Sequence, residues 1–106
     1  MGLTRDFKDT VYSRARRDSA FRKALLTEAV NAYLGGEEAV GKSVLRDFIN
    51  ATVGFEKLSV LSSIPSKSLH RMLGRNGNPT THNLGAILRS IAEDLGVRTR
   101  VEVAVH

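Results

Sequence analysis

The chain has no cysteine and no tryptophan, and only two of its 106 residues are proline. Without cysteine there is no disulfide to staple a small core and no thiolate to hold a metal. Histidine is scarce too: His70, His82 and His106 lie too far apart for a short-spaced ligand motif, so no metal site is expected. No apolar run approaches the ~20 residues that a membrane span requires. The N-terminal stretch "MGLTRDFKDTVYSRARR" lacks the apolar centre of a signal peptide. The expectation is a soluble cytoplasmic protein with no membrane partner. Its length suits one domain, burying roughly two-thirds of the surface the unfolded chain exposes.

The most informative absence is of acid. From Lys57 to Arg89 there is no Asp or Glu, while Lys57, Lys67, Arg71, Arg75 and Arg89 supply five positive charges. Residues 1–54, by contrast, mix nine basic with seven acidic side chains. The formal net charge is +5 and the isoelectric point about 10.1. An acid-free basic segment within a folded chain points to a polyanion, most often nucleic acid. An ordinary solvated basic face would have the same composition.

What is present first suggests something else. "GEEAVGKS", Gly36 to Ser43, matches the phosphate-loop pattern G-x-x-x-x-G-K-[ST] in every position. That loop needs a buried strand before it, so that backbone amides curl around the phosphates and a helix N-terminus points at them. Here a helical pattern precedes the glycines. Glu37 and Glu38 would repel phosphate, and they suit the first turn of a helix instead. No apolar strand ending in Asp follows to hold magnesium. The match is read as coincidence, with no nucleotide and no cofactor expected.

The spacing of apolar residues predicts helices through most of the chain. Phe7, Val11 and Ala15 recur every four residues. Asp18 or Ser19 can cap a second helix with Phe21, Leu25, Ala29, Val30, Tyr33 and Leu34 on one face, stopped by Gly35 and Gly36. A third carries Val40, Val44, Leu45, Phe48 and Ile49 and ends at Gly54. Two short helices follow, "FEKLSVL" with Phe55, Leu58 and Leu61, and "SKSLHRML" with Leu69, Met72 and Leu73, separated by "SSIP". After the turn "RNGNP", with Asn78 as cap and Pro79 at the first helical position, Leu84, Ile87, Leu88, Ile91 and Leu95 define a last helix. Gly85 inside it suggests the close approach of another helix. The tail alternates Val97, Thr99, Val101, Val103 and Val105 with other residues, the period of a β-strand.

The two short helices form a helix-turn-helix candidate. Leu58 points inward, small Ser59 sits where the helices cross, and Ser63 occupies the turn position where glycine is commonest. Ile64, Leu69 and Met72 then bury the second helix. The opposite side presents Ser66, Lys67, His70 and Arg71, side chains able to reach base edges in a major groove. Arg75 extends the basic surface, and Thr80 and Thr81 can bond phosphate through hydroxyls and backbone amides.

"SIPSKSLHRMLGRNGNPTTHNL" resembles the addiction-module antidote family, helix-turn-helix antitoxins related to Cro- and CI-type phage repressors. The family's "G-x-x-G-N-P-T" loop is matched by Gly74, Gly77, Asn78, Pro79 and Thr80. Ser63 replaces the usual turn glycine, Pro65 a common capping serine, and Lys57 a frequent glutamine. The resemblance implies a mainly α fold: a helical bundle with a lambda-repressor-like helix-turn-helix core at 37–96. Around it the reading places a helical extension at 1–36 and the C-terminal β-strand at 97–106, all in one domain. It further implies a sequence-specific repressor, or an antitoxin autoregulating its operon, with double-stranded operator DNA as partner and a toxin protein where the operon encodes one. Ser66, Lys67, His70, Arg71, Arg75, Thr80 and Thr81 are the expected DNA-binding residues. No catalytic residues are expected. The alternative is a protein-interaction module that neutralises a toxin with little DNA binding of its own. The unpaired tail strand predicts a homodimer joined through residues 97–105.

Overall fold

The computed structural model describes residues 2–106, with side chains described from Thr10 onward. Six helices account for the regular structure among them: α1 (Gly2–Arg17), α2 (Ser19–Leu34), α3 (Glu38–Ala51), α4 (Phe55–Ser62), α5 (Ser66–Met72) and α6 (Thr81–Leu95). None is long and apolar enough to cross a membrane.

The helix ends follow local chemistry. Asp18, not Ser19, caps α2, its carboxylate accepting from the Phe21 amide at 3.1 Å. That hydrogen bond is the main reason its carboxyl is held below the ordinary carboxylate range. The carboxylate also pairs with Arg14, whose guanidinium lies 4.6 Å from the Phe21 ring centre. Gly35 closes α2, and Gly96, in the left-handed region, closes α6. At the start of α6 the expected cap is displaced. Thr80 accepts from the Asn83 amide and Thr81 opens the helix, while the Asn78 side chain donates to Glu38.

α2 packs chiefly on α3, α1 lies across both, and α4 packs against α5 and α6. One apolar cluster joins them: Leu26 and Ala29 from α2, Leu45, Phe48 and Ile49 from α3, Phe55 and Leu58 from α4, Leu69 and Met72 from α5, then Leu73, Ile87 and Ile91. Phe7 lies outside the residues whose side chains are described, but Ala15 is fully buried as expected. The inward face of α2 is rotated from the expected one: Leu26 is buried and Leu34 is 65% exposed. Val40 and Leu61, also expected inside, are exposed. Gly41 lets α3 approach α2, since a Cβ there would meet the Tyr33 ring at 2.9 Å. The Tyr33 hydroxyl is buried with no hydrogen-bond partner among the described residues, and burial raises the pKa of the phenol.

Two further expectations are corrected. The tail forms no strand: residues 97–106 have no regular structure, and Val101, Val103 and Val105 stand exposed. A strand is defined by pairing, and the described residues provide no second strand to pair with. The Val97 amide instead donates to the Ala92 carbonyl and finishes α6. Gly85 meets no close neighbour either; a Cβ there would find nothing within 4 Å. Gly85→Ala is therefore expected to stabilise the protein by about 0.5–1 kcal/mol, by restricting the unfolded chain. A midpoint of urea unfolding no higher than that of the wild type would contradict this.

Candidate nucleic-acid interface

Ser63 makes the turn between α4 and α5. Its φ of 60° and ψ of 26° place a non-glycine residue in the left-handed region, as the turn position requires. Local hydrogen bonds offset the strain: Ser59 Oγ donates to the Ile64 carbonyl at 2.6 Å, and the Ile64 amide donates to Ser62 Oγ at 3.3 Å. Ser59 is thus a fastener as well as a small residue at the crossing. Leu69 and Leu73 are fully buried and Met72 nearly so, which fixes the rotation of α5 about its own axis.

That rotation turns Lys67, His70 and Arg71 out to solvent. The His70 ring lies on the buried Phe55 ring, with centroids 4.1 Å apart and planes at 23°, so it is held in place while remaining exposed. Ser66 is half-buried, and its hydroxyl donates to Glu56 Oε1 at 3.3 Å. Sequence reading missed this carboxylate at the start of the helix, since Glu56 immediately precedes the acid-free segment. Arg75 follows in the loop, exposed. Among the described residues neither Lys67, Arg71 nor Arg75 is paired with a carboxylate. Lys57 is paired, with Asp94 at 2.6 Å, and Arg89 lies beside Gly85 and Val97, facing the tail. Of the five cations of the basic segment, Lys67, Arg71 and Arg75 thus lie together on α5 and the loop after it, and Arg89 stands apart on α6.

Thr80 and Thr81, both exposed, stand at the start of α6. The Thr80 hydroxyl oxygen accepts from Asn83, which leaves its O–H available as a donor. His70, Arg71, Thr80 and Asn83 line a shared depression of about 510 Å³ together with Asn76 and Asn78. The loop after α5 thus brings Arg71 and Thr80, on either side of it, to one surface. His82 is exposed on α6, and no group of three or more His, Cys, Asp or Glu among the described residues could hold a metal ion.

The residues of "GEEAVGKS" have another use. Gly41 and Lys42 lie within α3. Lys42 is only 6% exposed, and its Nζ donates to the Gly77 carbonyl at 2.6 Å and to the Arg75 carbonyl at 3.3 Å. One turn along, Arg46 Nη1 donates to the Leu73 carbonyl. Neither contact was legible in the sequence, where only the four-residue spacing of Glu38, Lys42 and Arg46 hints at a common face. Comparison of the chain with known proteins gave no match to a family model, to a curated protein or to a solved structure.

Proposed function

We propose that the chain is a sequence-specific DNA-binding transcriptional regulator acting in the cytoplasm, a repressor or an antitoxin-like autoregulator of a toxin–antitoxin operon. One observation carries the reading: α5, locked against the core by Leu69 and Met72 behind a left-handed turn at Ser63, holds Lys67, His70 and Arg71 outward and unpaired by acid. Arg71 and Lys67 read base edges from the major groove, and Arg75, Thr80 and Thr81 set the register through phosphates. Ser66, tied to Glu56, plays the smaller part. The protein works as a homodimer, presenting two α5 helices to half-sites about one DNA turn apart. The exposed Val101, Val103 and Val105 are the apolar surface that such a contact would cover. The test is a gel shift on the DNA upstream of the protein's own gene. A specific complex that survives excess scrambled duplex is expected, and binding no tighter than to the scrambled duplex would refute sequence specificity.

A second reading, a module that neutralises a toxin with little DNA binding, draws on the same tail and on the groove of about 870 Å³ between it and α2, lined by Leu26, Val30, Leu34 and Val101. Co-purification of a toxin together with a negative gel shift would favour it. Neither reading involves nucleotide hydrolysis. The Lys42 ammonium is enclosed and engaged with two carbonyls. Calorimetry with ATP or GTP and magnesium is expected to show no binding in the micromolar range, and binding abolished by Lys42→Ala would reverse this.

A further inference from the structure

Glu38, Lys42 and Arg46 stand one turn apart on α3, and all three reach the segment that follows α5. Arg46 meets its first carbonyl, at Leu73; Lys42 meets those of Arg75 and Gly77; and Asn78 Nδ2 donates to Glu38 Oε2 at 3.4 Å. A buried ammonium is tolerated only where acceptors replace its water, and here the loop supplies them. A charge-assisted hydrogen bond of 2.6 Å is strong and directional, so the loop gains a fixed anchor in return. Gly77 completes the seat. A Cβ there would lie 1.9 Å from the Arg71 carbonyl, so the loop rests directly on the last turn of α5.

We infer that Lys42 and Arg46 are positioning residues for DNA binding, acting from α3 without touching DNA. By holding the carbonyls of Leu73, Arg75 and Gly77, they fix Arg75 and Thr80 relative to Arg71, and so set the distance between the base-reading helix and the phosphate-binding loop. The inference rests on the DNA-binding reading above. It gives the lysine of the apparent phosphate motif a role opposite to that of a phosphate-loop lysine: its charge is spent inward, on ordering a loop whose own side chains meet the phosphates.

The test is Lys42→Met, which keeps the aliphatic stem and removes the ammonium. The amides of Gly74 and Gly77 donate to the Arg71 and Gly74 carbonyls, each at 3.2 Å, and report on the loop by hydrogen exchange. They are expected to exchange about tenfold faster, while amides in the middle of α2 and α4 keep their wild-type rates. Affinity for a mixed-sequence duplex at low salt should fall about tenfold, and the fall should shrink when Arg75 and Thr80 are already alanine. Unaltered exchange at Gly74 and Gly77 would overturn the inference. So would an affinity loss that persists in full when Arg75 and Thr80 are both replaced by alanine, the mark of a contact made by Lys42 itself. A wild-type chain that binds no duplex overturns the DNA reading and the positioning role with it, while the exchange rates still report whether α3 holds the loop. If Lys42→Met does not fold, Arg46→Gln, at a half-buried position that releases the Leu73 carbonyl, faces the same outcomes.

Discussion

Leu69→Ala is expected to cost about 2–5 kcal/mol of folding stability, the range for removing a buried leucine whose cavity cannot fully collapse. Leu69 is fully buried on α5, a helix of only seven residues. So short a helix has no stability of its own in water. Apolar packing, mainly through Leu69, Met72 and Leu73, keeps it helical and in place. Collapse around the missing side chain would also turn α5 about its axis and misdirect Lys67 and Arg71. Urea unfolding gives the stability, and DNA binding measured where the variant is still folded gives the second effect. A loss below about 1 kcal/mol would mean that α5 is not seated on the core as described.

Lys67→Ala combined with Arg71→Ala is expected to act in the opposite manner, leaving the fold intact and removing recognition. Both side chains are exposed and neither is paired with a carboxylate among the described residues, so their loss should change stability by no more than about 0.5 kcal/mol. Each bidentate base contact is worth about 1–3 kcal/mol of discrimination, so the double variant should bind its specific site on the order of a hundredfold or more less tightly. Salt titration separates the two roles. A side chain on a base leaves the slope of log K against log salt nearly unchanged, whereas one on phosphate makes it shallower by about 0.9. A folded double variant that retains wild-type affinity would refute the assignment of α5 as the recognition helix.

The difference between these variants mirrors what could be read from the chain alone. Helix starts and stops depend on atoms a few residues apart, so Asp18 and Gly35 announce the bounds of α2 in the sequence. The left-handed turn at Ser63 belongs with them, because the spacing of Leu58, Ser59 and Ile64 already implies a sharp reversal there. The buried side of α5 was legible for the same reason, with Leu69, Met72 and Leu73 falling within one turn of one another. Where the apolar pattern is broad, periodicity could not choose a face. α2 is apolar around much of its circumference, and packing against α3 selected Leu26 and left Leu34 outside.

By itself, then, the sequence determined the succession of helices, the tight turn and the concentration of positive charge, since each is written in neighbouring residues. Only the tertiary structure decided which charges remain free, because Lys57 meets Asp94 across 37 positions of the chain. It also decided the fate of Lys42, whose partners lie 33 and 35 residues away, and of the valine tail. Alternation makes a segment capable of β-structure, but a strand exists only where a second backbone takes up its donors and acceptors. None of the described residues does so for residues 97–106.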